Sequence, residues 1–213
     1  MQTTNLYKKF LFSFFSIFFI CTSAQALSLQ KTSVILDAPW GMTWFDENHL
    51  LITQKSGEIF KVNIQEFSQT SIKHNIPSVQ YGQGGMLDII SEENNVWVTC
   101  SIEKDGKHTT AIYHAELSGD TLVNETKIYE ALPYIKSPYH FGSRLVIKGD
   151  YLYASIGERG EGMIAQDPTN SIGTIIRIHK NGDIPDDNPY LENPNWLPEI
   201  YQIGVRRSEE HTS

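Results

Sequence analysis

Polar turns cut the middle of this chain into short runs rich in β-branched and aromatic residues, and three of the divisions follow one plan. The first is Gly41-Met42-Thr43-Trp44, a turn at Asp46-Glu47-Asn48, then His49-Leu50-Leu51-Ile52-Thr53. The second is Gly85-Met86-Leu87-Asp88-Ile89, a turn at Asn94-Asn95, then Val96-Trp97-Val98-Thr99-Cys100. The third is Gly142-Ser143-Arg144-Leu145-Val146, the Gly149-Asp150 turn, then Tyr151-Leu152-Tyr153-Ala154-Ser155. Runs of this composition between turn residues predict strands. The leading glycines lie 44 and 57 residues apart, a spacing that matches propeller blades of about 40–50 residues.

Each unit continues with outer strands. Glu58–Val62 follows Ser56-Gly57, Thr110–Ala115 follows the Asp105-Gly106 turn, and Gly173–Ile178 precedes Asn181-Gly182. An α/β fold would need helices of about a dozen residues between its strands, and no helical period of that length follows residue 26. The pattern predicts an all-β protein, a β-propeller built by radial repetition.

The two ends read differently from the middle. Lys8 and Lys9 precede the apolar run Phe10–Ile20, and Ala24-Gln25-Ala26 fits a small-x-small cleavage site. Residues 1–26 therefore predict a secretory signal peptide, whose apolar run is shorter than the roughly 20 residues of a spanning helix. The mature protein would be periplasmic or secreted, with no membrane insertion after cleavage. At the other end Arg207–Ser213 has no apolar period, turn logic or cap, and its back-translation spells a widely used sequencing adapter. Residues 207–213 are accordingly expected to be a non-native tail, leaving 27–206 as the propeller part.

Charge and cysteines narrow the partners. The formal charge of −8 becomes −10 once Lys8 and Lys9 leave with residues 1–26, which disfavours nucleic acid and anionic membranes as partners. Only Cys100 remains after cleavage, so no internal disulfide forms, and its place in an alternating run suits a small buried side chain.

Candidate chemistry gathers at Tyr139–Arg144, Tyr-His-Phe-Gly-Ser-Arg, just ahead of the third unit's first strand. A histidine at a strand mouth is suited to moving a proton near neutral pH, and Gly142 would let a flat ligand approach the backbone. His140 taken alone fits a structural role as readily as a catalytic one, Gln83 could simply cap its glycine-rich turn, and Arg144 could be a salt bridge between blades. Gly157-Glu158-Arg159-Gly160 lacks the Gly-Lys-Ser/Thr and following helix of a phosphate loop. Asp183–Asn188 lacks the spacing of a calcium loop and reads as a solvated turn. His49, His74, His108, His114 and His179 show no paired metal spacing. Asn124-Glu125-Thr126 matches a glycosylation acceptor, a common chance match.

The ordered set Asp37–Met42, Gly82–Leu87, His140–Leu145, Gly157–Gly160, Ala165-Gln166-Asp167, Ile184–Pro189 and Pro198–Arg206 resembles the glucose/sorbosone dehydrogenase family across nearly all of the chain from Asp37 to Arg206. The resemblance implies soluble aldose sugar dehydrogenases dependent on pyrroloquinoline quinone (PQQ), with propellers of about six blades, of which about the first half is present here. It implies an aldose sugar oxidised at its anomeric carbon by hydride transfer to the quinone, a calcium ion that polarises the quinone, and an external electron acceptor. His140 matches the family's base, Gln83 a glutamine of the cofactor and sugar pocket, and Arg206 the arginine of a Gly-x-Arg-Asn-Pro turn that contacts the quinone. The departure is Arg207-Ser208 where Asn-Pro should follow. The calcium ligands are expected beyond this fragment, and the chain as written is expected to be neither stably folded nor active. Hydride loss from an alcohol carbon needs a base on the hydroxyl and positive charge beside the acceptor. Two other readings stay open: a lactonase-type propeller hydrolase with a metal held by carboxylates, and a non-catalytic extracellular binding propeller.

Overall fold

The computed structural model describes residues 28–29 and 31–205. The signal peptide expected over residues 1–26, Arg206 and the 207–213 tail lie outside them. The chain divides between Lys31 and Thr32, and the architecture below belongs to the part from Thr32 onward. Among the described residues no helix is long and apolar enough to cross a membrane.

Among the described residues twelve strands form three sheets of four. The first sheet holds β1 (Pro39–Trp44), β2 (His49–Gln54), β3 (Ile59–Asn63) and β4 (Ser68–Ile72). The second holds β5 (Met86–Glu92), β6 (Asn95–Lys104), β7 (Lys107–Ser118) and β8 (Thr121–Glu130). The third holds β9 (Gly142–Lys148), β10 (Tyr151–Ile156), β11 (Thr174–His179) and β12 (Ile200–Ile203). Strands pair antiparallel in chain order within each sheet, so each unit is a meander, as in a propeller blade. The first strands of successive sheets, β1, β5 and β9, are neighbours.

Local chemistry sets the turns. Asp46 Oδ1 accepts from the amides of Asn48 and His49, both at 2.8 Å, before β2 begins. Asp105 and Gly106 both take positive φ, 53° and 70°, the geometry of a two-residue hairpin turn whose twist suits the long β6–β7 pair.

Burial follows the alternation along β6. Val96, Val98 and Cys100 enter one core with Leu51 and Ile59 of the first sheet and Leu117 and Leu122 of the second. Trp97 enters another with Ile112, Leu145, Leu152 and Ile176, and its indole N–H donates to Lys180 O at 2.9 Å. Both faces of the second sheet are therefore covered by its neighbours, which is why β6 reads as a nearly continuous apolar run. Cys100 is fully buried and free, and burial pushes its thiol pKa up to about 12.

A hydroxyl stitches each sheet to the next. Thr53 Oγ1 accepts from Gly41 N at 2.9 Å and donates to Leu87 O of β5. Thr99 Oγ1 accepts from Asp88 N at 2.8 Å and donates to Ser143 O of β9 at 3.0 Å. Ser155 Oγ repeats the first half of the pattern, accepting from Arg144 N at 3.1 Å. These joints lie at the register shifts of β1, β5 and β9, where a bulge turns an amide out of its own ladder.

Candidate active site

Three loops converge ahead of the innermost strands: the turn before β5, the turn before β9 and the turn after β10. Gln83 N donates to Pro138 O at 2.7 Å, and His140 N donates to Gln83 Oε1 at 2.7 Å. The structure thus joins His140 and Gln83, two site residues read from the sequence, across 57 positions of chain. On the other side Gly157 N donates to Phe141 O at 3.1 Å, and Arg159 N to His140 O at 3.3 Å. His140 is held by both main-chain polar groups, which fixes it at φ 47°, a left-handed conformation uncommon for a residue with a side chain.

The third anchor is Glu158. His140 Nδ1 lies 2.7 Å from each of its carboxylate oxygens, and Oε2 also accepts from Gly160 N at 3.1 Å. A carboxylate accepts, so Nδ1 carries the donated hydrogen, and in the neutral ring Nε2 keeps its lone pair. The Glu158 side chain is 2 % exposed and that of His140 19 %, so the acid is sealed while the ring remains reachable.

Glu158 is a candidate site residue to which the sequence reading gave no role, counting Gly157–Gly160 in the family resemblance and otherwise only rejecting it as a phosphate loop. No sequence signal marked it: the register set by the Lys148–Tyr151 pair would put His140 opposite Arg159, and only the shift between Ala154 and Ile156, after which Gly142 pairs with Ile156, brings Glu158 there instead.

Gly142 does something other than the ligand approach expected of it. A Cβ there would fall on the Gly157 amide nitrogen and close to Ser155 O. Its φ of 70° also suits glycine. The residue lets the two loops that carry His140 and Glu158 touch, and the space in front of it is filled by protein.

Neighbouring charges are tied into the frame. Arg144 Nη1 donates to Asp88 Oδ1 at 3.1 Å, and its guanidinium lies 4.4 Å from the Trp40 ring centroid, so it bridges the first strands of adjacent sheets. Asp88 Oδ2 accepts from Leu145 N at 2.8 Å. Desolvation raises the Asp88 pKa above its ordinary value, the Leu145 amide and Arg144 opposing it. The Asp183–Asn188 stretch is only partly the solvated turn expected. Asn188 is buried, accepting from Arg177 Nε at 2.6 Å and donating to Arg177 O and Pro198 O. Among the described residues no three His, Cys, Asp or Glu side chains group as metal ligands.

The three four-stranded antiparallel sheets are propeller blades, and the sequence comparison names the family they belong to. Residues 36–211 match the glucose / sorbosone dehydrogenase family, and the chain belongs to that family. It is 30% identical over 214 residues to the aldose sugar dehydrogenase YliI of Escherichia coli (strain K12), covering 92% of this chain and 57% of that protein. It is 26% identical over 225 residues to quinoprotein glucose dehydrogenase B of Acinetobacter calcoaceticus, covering 87% and 46%. The crystal structure of the soluble aldose sugar dehydrogenase from Escherichia coli in its apo-form superposes with a TM-score of 0.76 at 30% identity, over 81% of this chain and 52% of that one. The PQQ-bound aldose sugar dehydrogenase from Streptomyces coelicolor, at 23% identity and a TM-score of 0.69, shares the fold over 84% and 54%. The chain thus spans about half the length of the curated relatives it matches.

Proposed function

We propose that the protein oxidises aldose sugars at the anomeric carbon to the lactone, with PQQ as acceptor and His140 as general base. The observation that carries this reading is the triple hold on His140: Gln83 on its amide, Arg159 on its carbonyl and Glu158 on Nδ1. A side chain so fixed, with one nitrogen committed to a buried carboxylate, presents Nε2 in one direction to whatever enters. PQQ, when bound, supplies an electrophilic o-quinone able to take a hydride.

The residues of this chain supply the rest. Nε2 removes the anomeric hydroxyl proton as the C1–H electron pair departs, and the C1–O bond becomes a carbonyl. Glu158, fixed on Nδ1, stabilises the imidazolium that forms. Gln83 spends its oxygen on His140 and keeps two Nε2 hydrogens, donors suited to the oxygens of a quinone, a carboxylate or a sugar. Arg206 would add a forked donor on the same cofactor. Calcium belongs to the proposal by family alone. The relatives' sugar dehydrogenase names support an aldose substrate, and an external electron acceptor would close the cycle. We place the mature protein in the periplasm or outside the cell, so N-terminal sequencing of exported material should begin at Leu27.

The test is redox-dye reduction by the full-length protein. Aldose-dependent reduction that requires added PQQ, with lactone as product, is the expected result. Lactone hydrolysis without dye reduction, or sugar binding without turnover, would favour one of the other two readings.

A further inference from the structure

Arg159 is 1 % exposed, and its guanidinium is poorly satisfied for so buried a group. Nη2 donates to Thr110 Oγ1 at 2.9 Å, while Nε and Nη1 are buried without a partner. Desolvation lowers its pKa to about 9, attraction to Glu158 offsetting part of the effect. An apolar side chain of similar length could cover the same ground without unpaired donors, and such replacements are often neutral or stabilising. Stability therefore does not account for an arginine at this position.

Position does. The guanidinium carbon lies 3.5 Å from the centroid of the Phe141 ring. Thr110 Oγ1, which accepts from Arg159, itself donates to Phe141 O at 2.9 Å. The Arg159 main chain meets the same loop twice more, through its N–H to His140 O and through its carbonyl, which accepts from Ser137 Oγ. One residue thus grips the loop at 137, 140 and 141 and ties it to β7, while its neighbour Glu158 holds the His140 ring. A planar guanidinium can stack on a ring and bond in its own plane together, which an ammonium cannot.

We propose that Arg159 is a positioning residue for His140: its clasp on Phe141 and Thr110 fixes the strained turn at which Nδ1 meets Glu158. The proposal rests on the reading of His140 as the base, but its primary readout does not require sugar oxidation. In the cofactor-free full-length protein, the His140 Nδ1–H bonded to Glu158 should give a downfield proton resonance, assigned by its loss in His140→Ala. In Arg159→Met that resonance should broaden or vanish with no fall in the thermal midpoint. In the PQQ-loaded protein kcat should fall about 10- to 100-fold at little-changed KM, the usual scale for outer-shell partners. An intact resonance with wild-type kcat overturns the proposal in favour of an ordinary structural arginine. Arg159→Lys, which keeps the charge without the stack, carries the test should the methionine variant fail to fold. A weakened resonance at an undiminished midpoint supports the clasp, and wild-type values of both overturn it. A His140→Ala enzyme that still turned over would instead remove the functional reading while leaving the resonance test in place.

Discussion

His140 takes its orientation from two other segments of chain, the turn at Gln83 and the turn at Glu158-Arg159, and the most specific contact is the one with Glu158. Both carboxylate oxygens reach Nδ1 at 2.7 Å, so the ring is held against rotation and flipping. In Glu158→Gln the amide can accept or donate, which frees the tautomer, and the charge facing the imidazolium is gone. The variant should lose about 10²–10⁴-fold in kcat, the range of general acid–base catalysis, with an overall fold unchanged by circular dichroism. Dye reduction within a few-fold of wild type would show that the ring needs no partner. His140 and Gln83 stand out in the sequence because each lies in a contiguous motif within a few residues of a strand start. Glu158 was hidden, because its partnership depends on a register shift in the β9–β10 hairpin, and nothing in the sequence marked Arg159, which is almost wholly buried.

Among the elements, the inner and middle strands were readable and the outermost were not. β4 is exposed at every position except Ile72, so no apolar alternation marks it, and β12 is only Ile200–Ile203. Each is specified by the neighbouring strand's open ladder more than by its own side chains. The hydroxyl joints were equally hidden, since Thr53, Thr99 and Ser155 look like ordinary strand residues until a bulge aims an amide at them. Thr99 carries two of these bonds in a fully buried position. Thr99→Val keeps the shape but strands Asp88 N and Ser143 O, and should cost about 1–3 kcal/mol. Thr99→Ser should restore most of it, with denaturant unfolding as the check, and a neutral valine would mean that water replaces the hydroxyl.

For the whole molecule, one buried histidine, His108, and one half-buried, His114, set a pH dependence. Burial lowers the pKa of His108 and of His114 below 6.5, nearby glutamates opposing it. Both bind a proton less readily folded than unfolded, so the stability they allow is present above 6.5 and is lost as pH falls through that value and below. The thermal midpoint of the full-length protein should therefore drop between about pH 7.5 and pH 5.5, and a His108→Gln/His114→Gln variant should flatten the slope. A slope unchanged in the double variant would assign it elsewhere. At this scale the sequence resemblance and the structure agree on an all-β propeller fold, with three sheets that match about half of the Escherichia coli dehydrogenase structure. Arg206, the quinone-contacting residue that the resemblance implied, lies outside the described residues.

The account turns on His140 as the base, and one measurement meets that directly: pre-steady-state reduction of PQQ-loaded full-length protein by an aldose, wild type against His140→Ala. The predicted result is a hydride-transfer rate lowered about 10²–10⁴-fold, with PQQ affinity little changed. A reduction rate in His140→Ala close to that of wild type would contradict the account and assign the proton to another group.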